Sequence, residues 1–205
     1  MDIREKDLVF SFPAQYSAVK FDDTRFYRDI FAKHSGAKGV DIIADSNTCI
    51  QLIEVKDCTG HEVENRWKTF INNSKRAAAA QHFDVVGRDS YDIEISKKVA
   101  STIVCLYGAW AKSTQSKIAM ELLKFWNGLY DKKVQNTGKS ILVILFLEGN
   151  FENPHSRTRS KKMIMKALQD SLNTKLSWLN CRVSVVDSTT YKGRYFKIRK
   201  ENSEE

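Results

Sequence analysis

Apolar residues along the chain alternate between a period of two and the helical period, in an order that reads strand, helix, hairpin, helices, strand, helix, strand. Leu8 to Phe12 reads as a short strand stopped by Pro13. Thr24 to His34 reads as a helix with Phe26, Tyr27, Ile30 and Phe31 on one face, N-cap oxygens at Asp22, Asp23 and Thr24, and a stop at Gly36. Val40 to Ala44 and Cys49 to Val55 are β-prone runs split by Asp45-Ser46-Asn47-Thr48, which is a hairpin signal. Val63, Trp67, Phe70, Ile71 and Ala78 then follow helical spacing to about Gln81. Two more helical patterns cover roughly Ser96 to Ala111 and Ser113 to Lys132. Trp67, Trp110, Trp126 and Trp178 lie on such patterns and read as core.

Ser140 to Leu147 is a continuous apolar run, the pattern of a strand buried on both faces. Ser160 can cap a helix whose core stripe is Ile164, Leu168, Leu172, Leu176 and Leu179, and Arg182 to Val186 is a further strand. Strand, helix and strand in that order imply a parallel pair with a right-handed crossover. The expected fold is α/β, a mixed central β-sheet flanked by helices. It forms one domain over residues 1–205, with a helical insertion at about 61–135.

Composition narrows this only slightly. With 205 residues and 42% hydrophobic content the chain can bury a real core, and two prolines and nine glycines exclude collagen-like or low-complexity architecture. No apolar run is long enough to span a bilayer, and Met1 to Asp7 carries charges of both signs with no apolar signal core, so a cytoplasmic protein without membrane contact is expected. Cysteines at 49, 58, 105 and 181 and histidines at 34, 61, 82 and 155 form no ligand-spaced set, so no structural zinc is expected and the thiols read as reduced core residues.

The net charge of +8 changes the picture once it is located. Residues 156–200 hold twelve Lys or Arg against two Asp, while the rest holds 21 basic and 23 acidic residues. So concentrated a positive field favours a polyanion, nucleic acid above all. Arg157, Arg159, Lys161 and Lys162 surround the start of the helix after Ser160, where backbone N–H groups add to the attraction for phosphate, and they are the candidate nucleic-acid contacts. Tyr191 to Lys200 interleaves aromatic and cationic residues, a pattern suited to stacking or backbone tracking, although Tyr195 and Phe196 fit a core equally well.

The hairpin carries the most specific chemical signal. Glu54 and Lys56 are two apart on one strand and so share a face. With the turn centred on Ser46-Asn47, Ala44 opposes Cys49 and Asp41 opposes Leu52, which puts Asp41 on that face too; a turn one residue longer would send it to the other side. Two carboxylates suit a hard cation such as Mg²⁺, with the Val55 carbonyl and waters completing the sphere. Lys56 could orient an attacking water or stabilise charge developing on phosphorus.

An Asp on an apolar strand, a short turn and Glu-x-Lys ending the next strand resemble the core of the PD-(D/E)xK nuclease superfamily, which includes restriction endonucleases, junction resolvases and repair nucleases. The motif covers Val40 to Lys56, and the order of elements extends the likeness over most of the chain. The resemblance implies a restriction-endonuclease-like fold and a metal-dependent endonuclease that hydrolyses phosphodiester bonds of DNA. Asp41, Glu54 and Lys56 would be its catalytic residues, Asp41, Glu54 and Val55 its metal ligands, and Mg²⁺ its cofactor, with Mn²⁺ able to substitute. Val40 departs from the pattern, standing where the family has proline. An extra acidic residue on the first helix, found in some members, would fall to Asp22, Asp23 or Asp29. The alternative is a non-catalytic nucleic-acid-binding or assembly protein on the same fold, and a homodimer or larger complex is compatible with either.

Overall fold

The computed structural model describes residues 1–34, 36–72, 89–131, 138–152 and 159–201. It is a mixed α/β structure in three layers. The central layer is a five-stranded sheet in the order β3 (Ser17–Lys20), β4 (Ile42–Asp45), β5 (Cys49–Asp57), β6 (Ser140–Glu148), β7 (Cys181–Val186). The first three strands are antiparallel, and β5, β6 and β7 are parallel. A smaller antiparallel sheet, β1 (Asp2–Glu5), β2 (Leu8–Ser11) and β8 (Lys197–Lys200), covers one face. On that side Phe10, Phe12 and Phe196 pack with Ile42, Ile53, Val55 and Phe146.

Helices cover the other face. α3 (Tyr91–Lys112) lays Ile95, Val99, Leu106 and Ala109 against Ile43, Leu52, Val143 and Leu145. It is joined there by α4 (Met120–Leu129) and α5 (Lys161–Lys175). The expected β6 is buried from Ile141 to Glu148, as a parallel strand covered on both faces must be. The expected cap of α5 is present: Ser160 Oγ accepts from Met163 N at 3.4 Å.

Several boundaries differ from the sequence pattern. The first helix is only α1 (Arg25–Asp29), followed by a 3₁₀ turn at Phe31–Lys33. Asp22 and Asp23 do not cap it; Thr24 holds that position, and the Phe26 amide is met by Glu121 Oε1 from α4 at 3.1 Å. The pattern from Val63 forms α2 (Glu62–Asn65) and a 3₁₀ turn, Arg66–Thr69, while its remainder from 73 lies outside the described residues. α3 starts five residues before Ser96, and as a core helix it makes much of the segment expected as an insertion integral to the sheet packing.

The tryptophans correct a second expectation, since Trp110 and Trp178 are 45% and 57% exposed. Helical periodicity identified an apolar face, but on the outer side of α3 and α4 nothing among the described residues covers it. Trp110, Tyr107 and Tyr130 instead gather around Trp126, which itself rests half-buried against the core, with ring centroids 5.5–6.0 Å apart. The four cysteines are free thiols, three of them buried. Among the described residues no helix is long and apolar enough to cross a membrane.

Candidate active site

The β4–β5 hairpin pairs Ile42 with Ile53 and Asp45 with Ile50, so its turn is centred on Asn47-Thr48 rather than Ser46-Asn47. Ser46 Oγ sets that centre by accepting from the amides of Thr48 (3.3 Å) and Cys49 (3.2 Å). Moving the centre by one residue moves every partner by two. Strand faces repeat every two residues, so the side to which Asp41 points is preserved.

Asp41 stands just before β4 and is fixed from both sides. Its amide donates to Ile53 O (3.1 Å), its carbonyl accepts from Phe21 N (2.7 Å), and its Oδ2 accepts from Val55 N (2.7 Å). The approach to it is equally constrained. A Cβ on Gly39 would fall 2.4 Å from the Phe21 ring, so only glycine passes. The Val40 amide donates to Thr102 Oγ1 of α3 at 3.0 Å, and that hydroxyl donates to Lys98 O at 2.8 Å. Proline has no N–H, so valine at this position is what ties the Asp41 segment to α3.

Glu54 and Lys56 face the helices from β5, and α3 answers with Glu94 and Lys98, four residues apart and so neighbours on one helix face. A chain of alternating charges results. Lys98 Nζ lies 3.5 Å from Asp41 Oδ1 and 2.5 Å from Glu54 Oε1. Lys56 Nζ lies 2.8 Å from Glu54 Oε1 and 2.8 Å from Glu94 Oε1, and Lys68 closes the chain 4.0 Å from Glu94 Oε2. Both lysines of the centre share one oxygen of Glu54. The other, Oε2, is buried with no hydrogen bond.

Burial is the largest influence on Glu54 and pushes its carboxyl above the usual range, with Asp41 adding to it and Lys56 and Lys98 opposing. Burial pulls Lys56 the other way, but the Glu54 and Glu94 carboxylates outweigh it and hold the ammonium above its ordinary value. Asp22 is raised by burial, and Asp41 is among the charges that add to the effect; its Oδ1 is also buried without a hydrogen bond. Among the described residues no three or more His, Cys, Asp or Glu side chains gather as a metal cage.

A cleft of about 430 Å³ opens beside this cluster, lined by Gly36, Lys38, Lys68, Asp89, Glu94, Lys97 and Lys98. Its four lysines come from the part of the chain whose charge is nearly balanced, and the only sequence signal for any of them is the Glu94/Lys98 spacing. The cations expected to hold nucleic acid lie otherwise. Arg159 stacks 3.6 Å from the centre of the Phe70 ring and donates to Thr69 O at 3.1 Å. Lys161 is paired with buried Asp187. Lys162 is exposed, and Arg157 lies outside the described residues. In the second basic cluster Phe196 is buried, Tyr191 stacks on it at 4.5 Å, and Arg199 pairs with Asp2 at 2.8 Å.

Residues 24–200 match the model of a family of unknown function, DUF6661. No curated protein and no solved structure matches the chain.

Proposed function

The chain belongs to the DUF6661 family, and we propose that it is a metal-dependent endonuclease that hydrolyses phosphodiester bonds of DNA on a restriction-endonuclease-like, PD-(D/E)xK-type core. The observation that carries this reading is the meeting of Asp41, Glu54 and Lys56 with one Glu54 oxygen buried and unbonded. A buried carboxylate oxygen without a donor is costly, and a cation ligand would remove that cost. An antiparallel hairpin running into parallel β5, β6 and β7, with a helix over the hairpin, agrees with the same core.

Asp41 and Glu54 would hold Mg²⁺ or Mn²⁺, with the backbone at Val55 beside them and water in the remaining positions. Such a cation, when bound, polarises the phosphodiester and lowers the pKa of a bound water. Lys56 remains an ammonium at neutral pH, so it serves as a donor and a positive charge and not as a base. The Asp41 and Val40 hydrogen bonds preorganise the carboxylates before substrate arrives.

Incubation with plasmid and single-stranded DNA in Mn²⁺ tests the reading. The wild type should cut. Asp41→Ala and Glu54→Ala should neither cut nor bind metal by calorimetry, whereas Lys56→Ala should cut about 10²–10³-fold more slowly and still bind metal. An inert wild type would refute catalysis. A second reading, a non-catalytic nucleic-acid-binding protein on the same core, draws on one observation: the Lys98 ammonium already bridges the two carboxylates. Because Lys98 bridges both carboxylates but supplies only one positive charge against their two, this second reading requires DNA binding with no cleavage in any divalent cation.

A further inference from the structure

The pattern of strands and turns draws no attention to Lys98, yet its ammonium occupies the interval between Asp41 and Glu54, 3.5 Å from one carboxylate and 2.5 Å from the other. Its side chain is only 13% exposed, so this is an enclosed pairing and not a loose surface contact. The alternating cluster holds three carboxylates and three ammoniums and is neutral as it stands. A divalent cation held by the same two carboxylates would confront the Lys98 charge within a few ångströms in a partly desolvated site. The two cannot share the interval cheaply. Lysine is a point charge on a flexible four-carbon stem, and Lys98 also lines the cleft beside the cluster, so its head can leave without backbone movement.

We propose that Lys98 is an intramolecular counterion that stands between Asp41 and Glu54 in the metal-free protein and turns out into the lysine-lined cleft when a divalent cation binds. This rests on the metal-site reading of those carboxylates. Three consequences follow from the charges alone. The carboxylate pair stays folded and paired without metal. The metal affinity of the wild type is lower than two buried carboxylates would otherwise provide. Binding of metal places an additional ammonium beside Lys38 and Lys97, so metal and an anionic ligand assist each other reciprocally.

Calorimetric titration with Mn²⁺ at pH 8 and low salt decides the matter. Lys98→Met removes the competing charge and should tighten Mn²⁺ binding by about tenfold, within the usual range of coupling between sites. Lys98→Gln, which keeps a donor but no charge, should tighten it as well and serves if the methionine variant does not fold. Lys98→Arg should leave it near wild type or weaker. A brace that only supported the fold would show the reverse, with affinity falling when it is removed. If the wild type binds Mn²⁺ and neither neutral variant binds tighter, the counterion proposal is overturned and the metal site stands. If none of the proteins binds Mn²⁺, the metal site itself is wrong and the proposal falls with it.

Discussion

Two carboxylates meet α3 at almost equal burial, Asp92 at 0% exposure and Glu54 at 1%, and they titrate in opposite directions. Asp92 accepts from Ser90 Oγ (2.6 Å), Ser171 Oγ (2.7 Å) and the Asn72 amide (3.1 Å), and pairs with Lys175 at 3.1 Å. Burial is the largest single influence on it and raises its pKa, but those donors together outweigh burial and hold the carboxyl below its usual range. Glu54 has two ammoniums on one oxygen and nothing on the other, so there burial prevails. Surface exposure alone therefore does not set the direction; the balance between desolvation and the donors reaching each oxygen does. A saturated carboxylate such as Asp92 ties together α3, α5 and the turn at Asn72. A half-satisfied one such as Glu54 is the kind that binds a ligand.

The sharpest test exchanges the two. Glu54→Gln keeps the shape and removes the charge, so cleavage should fall by about 10³-fold or more. Lys56 and Lys98 retain Glu94 and Asp41, and burial already disfavours the Glu54 charge, so the loss of thermal stability should be smaller than in Asp92→Asn. Asp92→Asn should do the opposite. It unbalances a saturated buried cluster and should cost about 3 kcal/mol, a drop of roughly 10 °C in Tm, with activity per folded molecule unchanged. Scanning calorimetry and a cleavage assay on both variants would settle this, and a large loss of stability in Glu54→Gln would erase the distinction.

That distinction also marks how far the amino-acid pattern could be followed. Asp41, Glu54 and Lys56 were legible because strand parity is a local rule, and it survived a turn misplaced by one residue. Their partners were not. Glu94 and Lys98 look like an ordinary i, i+4 surface pair until α3 is laid over the hairpin, which is a tertiary event. The edge strands β1, β3 and β8 bury at most one side chain each, so no apolar run marks them, whereas the equally short β2 and β4 bury three. The basic third is only partly legible for a related reason. A count of charges locates a field but cannot see that Lys161 is spent on Asp187, or that Arg159 lies flat on Phe70.

Acid extends the comparison. Asp92 and Asp187 are both depressed in the folded protein, Asp187 by Lys161 and its threonine hydroxyls against the effect of burial. Each contributes stability that is complete above the unfolded aspartate value of about 3.9 and is lost as pH falls through the folded value. Glu54 is raised, so its contribution has the opposite sign: it is present below the unfolded glutamate value of about 4.3 and is lost as pH rises through the folded value. Urea unfolding from pH 2 to pH 8 should therefore show a shallower acid decline in Asp92→Asn and a smaller loss of stability above pH 4 in Glu54→Gln. Parallel curves for wild type and both variants would mean that neither carboxylate differs from its unfolded state.

The smallest expected effect separates two sets of cations. On the nuclease reading, phosphate should be met by lysines free to turn toward the cleft and not by those engaged internally. Lys38 is exposed, and Lys97 is 69% exposed even with Asp89 beside it at 2.7 Å, whereas Arg159 and Lys161 hold Thr69 and Asp187. Each phosphate contact removed lowers the slope of log K against log salt by about 0.9 on duplex DNA. Lys38→Ala and Lys97→Ala should each reduce that slope in fluorescence anisotropy with unrelated duplexes, and their effects should add because phosphate contacts carry no sequence information. Arg159→Ala and Lys161→Ala should leave the slope nearly unchanged and lower the melting temperature instead, since they break a cation–π contact and a half-buried ion pair. A slope that fell only in the second pair would move the nucleic acid away from the cleft to the start of α5, and would separate the polyanion surface from the carboxylate cluster.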